Sequence, residues 1–349
     1  MSNIKKPIRV LIVDDSALVR RILSGHIRKD PEIEIVGQAE NPYEARDLMV
    51  ELRPDVITLD LEMPRMDGLT FLKHFMAVMP TPTIIVSSLT QKGKRITFDA
   101  LEAGAVDVIA KPTFNLIDNL SSSISDINER IKIAATVNVK KIIRHDLFLP
   151  EKPCRNVDIS HERIIAIGSS TGGVEALARI MPMFPADSPA IIIVQHMPAG
   201  FTETFAKRLD SLCQIDVKEA KNGEVIKRGV ALIAPGGEYH TRIIRSGNQY
   251  KIVLQEGDLV NYSRPSVDVL FYSVAREAKH NTSAAILTGM GKDGAAGLLA
   301  IRQAGGRTYA QDEATSVVFG MPQVAHEMGA VEKMLPLEKI PSALLNAFK

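Results

Sequence analysis

Short apolar runs alternate with longer amphipathic stretches along this chain, and the alternation occurs twice. From residue 8 onward, Ile8–Val13, Ile33–Gly37, Val56–Leu59, Thr83–Val86 and Val106–Ala110 read as buried strands. Helical patterns such as Ala17–His26 and Tyr43–Glu51 separate them. Five near-continuous apolar strands with helical patterns between them indicate a parallel, doubly wound α/β sheet. After an expected last helix over Leu116–Ala134, the stretch Val137–His161 loses its periodicity and holds Pro150 and Pro153 among charged residues. That composition reads as a linker.

The alternation then restarts. Arg163–Ile167, Ala190–Val194, Val230–Ile233, Ser283–Leu287 and Arg307–Ala310 read as strands, with helices expected at Gly173–Met181, Val267–Ala278 and Gly294–Ala304. The fold class is therefore α/β with two doubly wound parallel-sheet domains, the second of them Rossmann-like. We place the first at residues 1–135, the linker at 136–160 and the second domain at 161–349. A length of 349 residues suits two domains.

Composition excludes several classes. Hydrophobic residues make up 45% and charged residues 24% of the chain, which describes a globular protein. The formal net charge is +1 and no Lys/Arg run forms a basic stripe, so no nucleic-acid partner is expected. Cys154 and Cys213 lack metal or redox spacing and are expected to be reduced thiols. No apolar run approaches the ~20 residues of a membrane helix, and Met1–Pro7 does not resemble a signal peptide. The expectation is a soluble cytoplasmic protein without membrane insertion.

In the first half, each of four strands ends in a polar residue able to reach one pocket at the carboxyl edge of the sheet. These are Asp14 and Asp15, Asp60, Ser87 and Lys111. Three carboxylates brought together repel unless a hard divalent cation neutralises them, and Mg²⁺ accepts a few carboxylates together with a phosphate. The set suggests phosphoryl transfer to Asp60, with Asp14 and Asp15 on the metal. Lys111 and the Ser87 hydroxyl would meet the phosphoryl oxygens. The runs LIVDDSALVR, DLEMPRMDG, IIVSS and AKP resemble the response-regulator receiver family over roughly residues 7–133. That resemblance implies a flavodoxin-like fold and phosphorylation at Asp60. Val108 stands where receivers often carry an aromatic switch residue, so a switch of that kind is not expected here.

In the second half, Gly168-Ser-Ser-Thr-Gly172 lies between a strand and a helix. This is the form of a nucleophile elbow that lifts Ser170 above the sheet. A phosphate-binding turn uses similar residues, and the motif alone leaves both open. His196 follows the next buried strand, where a general base would be placed. Gly289-Met-Gly-Lys-Asp-Gly294 matches a dinucleotide fingerprint, with Asp312 about 20 residues on. It comes late in its domain, however, and Asp293 would repel a pyrophosphate. The same Asp293 could orient His196, so the sequence favours a Ser170, His196, Asp293 triad. The order differs from Ser…Asp…His of the α/β-hydrolases.

The blocks AIGSSTGGVEAL, VQHMPAGFT, SRPSVDVLF, LTGMGKDGAAGL and AQDEATSVVFGMP together resemble the catalytic domain of CheB-type protein-glutamate methylesterases, over about residues 161–345. The resemblance implies Ser170 as nucleophile, His196 as base and Asp293 as its orienter, with the backbone N–H groups of Thr171 and Met290 as oxyanion donors. It also implies glutamate methyl esters, and certain glutamines, of methyl-accepting chemotaxis receptors as substrate, in the service of chemotactic adaptation. A CheA-type histidine kinase would be the phosphodonor. Mg²⁺ would serve the receiver, and no cofactor the ester hydrolysis. In that family the unphosphorylated receiver covers the esterase cleft. Two other readings are a receiver joined to a nucleotide-binding or redox domain, and a receiver joined to a non-catalytic docking module.

Overall fold

A computed structural model of the protein describes residues 6–88, 90–111, 127–139 and 162–348. Tertiary contacts divide the chain into two units, Met1–Leu147 and Phe148–Lys349.

The first unit runs β1 (Ile8–Val13), α1 (Ala17–Ile27), β2 (Ile33–Ala39), α2 (Pro42–Leu52), β3 (Val56–Asp60), α3 (Gly68–Val78), β4 (Thr83–Ser87), α4 (Gln91–Glu102), β5 (Asp107–Ala110) and α5 (Ile127–Thr136). Its sheet is parallel, in the order β2-β1-β3-β4-β5. Every residue of β3 and β4 is buried, which is why these strands read as unbroken apolar runs. Side chains start the helices: Ser16 accepts from Val19 N, Asn41 from Tyr43 N and Glu44 N, and Asp67 from Thr70 N. Such a cap contributes about 1 kcal/mol. Strand order reverses between β1 and β3, where Val13 pairs with Leu59. Asp14 and Asp60 therefore emerge side by side at the switch point, where open sheets bind ligands. The expected helix over Leu116–Ala134 is described only from Ile127, and it continues to Thr136. Its first part, and residues 140–161 of the expected linker, lie outside the described residues.

The second unit opens with β6 (Ile164–Ser169), α6 (Gly173–Ile180), β7 (Ala190–Gln195), α7 (Thr202–Asp210), β8 (Asp216–Glu219) and β9 (Val230–Ile233). A hairpin of β10 (Tyr239–Ser246) and β11 (Gln249–Glu256) follows, and then α8 (Val267–Glu277) and β12 (Thr282–Ile286). The unit closes with α9 (Ala295–Gln303), β13 (Arg307–Gln311), α10 (Met321–Glu327), β14 (Lys333–Leu335) and α11 (Ile340–Asn346). Its main sheet is parallel, in the order β14-β13-β12-β6-β7-β9-β8. β6, β7 and β12 are buried along their whole length. One core cluster on one face of the sheet packs Ile192, Val194 and Ile286 against Val267 and Phe271 of α8, with residues of α9, α10 and the hairpin. The central strand β6 has β7 on one side and β12 on the other, so this sheet too has a switch point, between β6 and β12.

The structure adds β8, the hairpin and β14 to the strands read from sequence. β8 and β14 are only four and three residues long, too short for a period. The hairpin carries Arg242, Arg245 and Lys251, which break up its apolar alternation. No helix among the described residues is long and apolar enough to cross a membrane.

Candidate active site

The turn after β6 separates its two serines. Ser169 ends the strand fully buried and donates its hydroxyl to Gln195 Oε1 at 2.7 Å. Gln195 in turn donates to the carbonyls of Ser170 at 2.9 Å and His196 at 3.0 Å. Ser170 is half-buried, beyond the strand. Gly172 takes a left-handed φ of 78° to enter α6, and a Cβ there would lie 2.6 Å from Val317 Cβ. Left-handed backbone and a crowded approach both require glycine at this position. Ser170 N donates to Thr288 O at 3.0 Å, which ties the turn to the loop after β12 across the switch point.

His196 follows β7, and its backbone N donates to Ser169 O at 3.0 Å. Its ring nitrogen Nε2 lies 2.8 Å from Asp293 Oδ2. Asp293 is 2% exposed and accepts four further hydrogen bonds. Ser266 Oγ at 2.7 Å, Asn261 Nδ2 at 3.1 Å and Asp268 N at 3.2 Å reach Oδ1, while Val267 N reaches Oδ2 at 2.7 Å. Burial alone would raise the pKa of this carboxyl, but donation from His196, Ser266 and Asn261 outweighs it, and the group stays below its ordinary value. A carboxylate at Oδ2 makes Nε2 the protonated nitrogen of neutral His196. The lone pair on Nδ1 is then free to accept a proton.

That lone pair faces Ser263 Oγ at 3.3 Å. Among the described residues, the Ser170 hydroxyl has no hydrogen-bond partner, His196 included. The structure therefore joins His196 to Asp293 and leaves Ser170 unengaged at rest. Its own amide is committed to Thr288. The N–H groups of Thr171 and Met290 have no acceptor among the described residues, so both remain able to bind a developing oxyanion. Gly289, the residue before Met290, packs tightly against the turn of Ser170: a Cβ on it would lie 2.7 Å from Ser170 Cβ.

The segment 259–268 supplies three side chains that the sequence reading did not single out. Asn261 donates to Asp293 and also to Asp268 Oδ2, at 2.8 Å. Ser266 caps α8 and turns its own hydroxyl to Asp293. Ser263 meets His196. The cap was visible as a serine ahead of an amphipathic run; the Asn261 bridge had no sequence signal. Asp268 is pushed above its ordinary pKa by burial first, and then by the nearby Asp293 charge.

In the first unit, Asp14, Asp15 and Asp60 bring carboxylate oxygens within 4.8 Å of one another. Lys111 Nζ lies 2.7 Å from Asp60 Oδ2 and 3.1 Å from Asp14 Oδ2. Burial, followed by the Asp60 charge, raises the Asp14 carboxyl to about 6, and burial raises Asp60 as well. Lys111 is pulled down by burial but held above its ordinary value by the two carboxylates. Asp14 Oδ2 and Asp60 Oδ2 are buried without a well-directed hydrogen bond. One lysine leaves this triad of acids with excess negative charge, a donor set that fits Mg²⁺. Ser87 is not turned to Asp60 here. Its hydroxyl accepts from Thr97 Oγ1 at 2.7 Å and donates to Gly93 O at 3.3 Å, at the start of α4.

Residues 165–344 match the family model for the CheB methylesterase, and residues 10–121 match that of the response regulator receiver domain. The chain belongs to the CheB methylesterase family. A protein-glutamate methylesterase/protein-glutamine glutaminase of Syntrophotalea carbinolica is 49% identical over 347 residues, covering 98% of each chain. A second protein of that description, from Pseudomonas aeruginosa, is 51% identical over 340 residues and 97% of each chain. The crystal structure of the Thermotoga maritima CheB methylesterase catalytic domain superposes with a TM-score of 0.52 at 43% identity. It covers 53% of this chain and 97% of its own.

CheB family membership accounts for the glycine loop 289–294 without a nucleotide. In place of a pyrophosphate partner it carries Asp293, and Gly289 approaches the turn of Ser170. Asp312, the acidic residue of the fingerprint, closes a local turn by accepting from Thr315 N at 3.0 Å and Thr315 Oγ1 at 2.7 Å.

Proposed function

We propose that this chain hydrolyses the methyl esters of glutamate side chains on methyl-accepting chemotaxis receptors, deamidates certain receptor glutamines, and is regulated by phosphorylation of Asp60. The observation that carries the reading is the 2.8 Å pair of His196 Nε2 and Asp293 Oδ2 beside an elbow serine at a switch point. Ser170 is the nucleophile. Its hydroxyl turns to Nδ1 of His196, displacing Ser263, when an ester occupies the crevice; catalytic hydrogen bonds commonly tighten only with substrate bound. Nδ1 takes the proton as Ser170 Oγ attacks the ester carbonyl. Asp293 balances the imidazolium, and the N–H groups of Thr171 and Met290 hold the oxyanion, each donor contributing about 10²–10³ in rate. His196 returns the proton to the leaving methoxide, which departs as methanol. Water, deprotonated by the same nitrogen, then frees the glutamate and restores Ser170. A glutamine releases ammonia by the same steps.

In the receiver, Asp60 accepts a phosphoryl group from a CheA-type histidine kinase. Lys111 meets the new charge, and the Ser87 hydroxyl leaves Thr97 and Gly93 to bind a phosphoryl oxygen. Asp14, Asp15 and Asp60 would hold Mg²⁺, which when bound neutralises the phosphoryl and carboxylate charge. The substrate and phosphodonor imply a cytoplasmic enzyme. The test is methanol release from methylated receptor, with and without acetyl phosphate and Mg²⁺. No release under either condition would refute the activity, and release indifferent to acetyl phosphate would refute the regulation.

A further inference from the structure

Two consecutive non-glycine residues, Asn261 and Tyr262, adopt positive φ values of 50° and 62°. Asparagine tolerates this region, and a bulky aromatic there is a genuine outlier. The fold uses Asn261, whose amide bridges Asp268 and Asp293. It makes no comparable use of Tyr262. The ring is 86% exposed, and its hydroxyl has no partner among the described residues. Tyr262 is the most exposed tyrosine of the chain, ahead of Tyr272 at 51% and Tyr43 at 46%. A glycine or a second asparagine would make the same turn with less strain, so the aromatic side chain is not explained by the loop itself.

Its place in the loop is informative. Backbone hydrogen bonds between Val260 and Ser263, at 2.9 and 3.2 Å, close the turn around it. The next residue, Ser263, is the one that reaches His196 Nδ1. In the glycine loop, Met290 is 39% exposed and follows the glycine packed on Ser170. Two large side chains with apolar bodies thus stand one residue away from the contacts of the base and of the nucleophile. Such a pair has little to do for a methyl ester alone. It suits the protein segment that carries the ester.

We propose that Tyr262 is a specificity-determining residue that packs on apolar side chains flanking the reactive glutamate of the protein substrate. The turn holds the ring out of its own fold for that contact, as strained backbone at functional sites often does, and tyrosine supplies contact area at low entropic cost. The proposal rests on the protein-glutamate reading above.

The test measures methanol release by the full chain from two substrates, methylated receptor and N-acetylglutamate γ-methyl ester. Tyr262→Gly keeps the left-handed turn and removes the ring, while Tyr262→Phe keeps the ring. Tyr262→Gly is expected to lower kcat/KM on the receptor about tenfold, through KM, and to change the small ester by less than about twofold. Tyr262→Phe is expected to stay within about twofold of wild type on the receptor. An equal loss on both substrates would overturn the proposal, because the loop would then serve only His196 and Asp293. So would an unchanged receptor KM in Tyr262→Gly. A wild-type chain that hydrolyses the small ester but never the receptor would instead remove the protein-glutamate reading, and this contact with it.

Discussion

His196 meets Asp293 through Nε2, at 2.8 Å, and so offers Nδ1 to the nucleophile side, where Ser263 Oγ stands at 3.3 Å. Removing the carboxylate while keeping its shape should select the wrong tautomer. Asp293→Asn is expected to lower methanol release by roughly 10⁴-fold. An amide also places an N–H₂ among groups that already donate, from Ser266, Val267 and Asp268, so a stability loss of about 1–3 kcal/mol should accompany it. Steady-state kinetics and a denaturant melt measure the two effects. An active Asp293→Asn enzyme that binds NAD(P) would restore the dinucleotide reading of residues 289–294.

The depressed Asp293 carboxyl predicts a pH dependence with a definite sign. Despite burial, its hydrogen bonds keep the folded value below the ordinary 3.8. Its contribution to stability is therefore fully present above 3.8 and is lost as pH falls through the lower folded value. The stability difference between wild type and Asp293→Asn should not shrink between about pH 7 and pH 5 and should shrink only in stronger acid. Denaturation midpoints of both proteins across that range check it. A difference that already narrows near pH 6 would contradict the assignment.

The two serines of the turn should behave differently. Ser170→Ala is expected to cost on the order of 10⁴–10⁶ in turnover while leaving the fold intact, since its hydroxyl has no structural partner. Ser169→Ala strands Gln195 Oε1 in the core and should cost about 1–3 kcal/mol of stability. Its effect on turnover should be at least ~10-fold smaller than that of Ser170→Ala, because an elbow presents one hydroxyl. A dead Ser169 variant would transfer the nucleophile role to Ser169.

Gly289 should be intolerant of a methyl group. A Cβ there would meet Met321 Sδ at 2.5 Å, Ser170 Cβ at 2.7 Å and Ser170 N at 3.1 Å. Overpacking of this kind costs about 1–3 kcal/mol. Because the displaced atoms belong to the nucleophile turn, Gly289→Ala should lose upwards of ~10² in kcat. Normal turnover in a stable Gly289→Ala protein would mean that the turn does not need this close approach.

In the receiver, Asp60→Asn should abolish labelling by acetyl phosphate and any stimulation of methanol release, while basal release persists. Chelating Mg²⁺ should do the same to the wild type, since Lys111 alone does not balance Asp14, Asp15 and Asp60. Phosphoprotein labelling alongside the methanol assay measures both. Labelling that survives in Asp60→Asn would point to another acceptor.

Much of this was legible because it is carried by strand ends. Asp14, Asp60, Ser87, Lys111, Ser170 and His196 each terminate or follow a largely apolar run, and such short runs alternating with helical patterns mark buried parallel strands. Asp293 was readable as the one residue out of place in a phosphate loop. The resting orientations were not. Ser87 turned to Thr97 and Ser170 free of His196 depend on rotamers, which no residue pattern encodes. The hairpin carried a weak signal in Gly247-Asn248 between two alternating runs, masked by its arginines. Asn261 acts through a backbone conformation and a bridge between Asp268, seven residues on, and Asp293, thirty-two residues on, and no local periodicity reports that.

The pairing of β6 with β12 has a consequence for how the enzyme comes to life. Gly168 lies opposite Ile286, so the elbow and the glycine loop meet only after more than a hundred intervening residues have been closed into a crossover. Local helices and the β6–β7 pair can form well before that. Pairings so remote in sequence form late and slowly. Esterase activity during refolding should therefore lag behind the recovery of helical signal, making the chemistry itself a clock for the last long-range step of assembly.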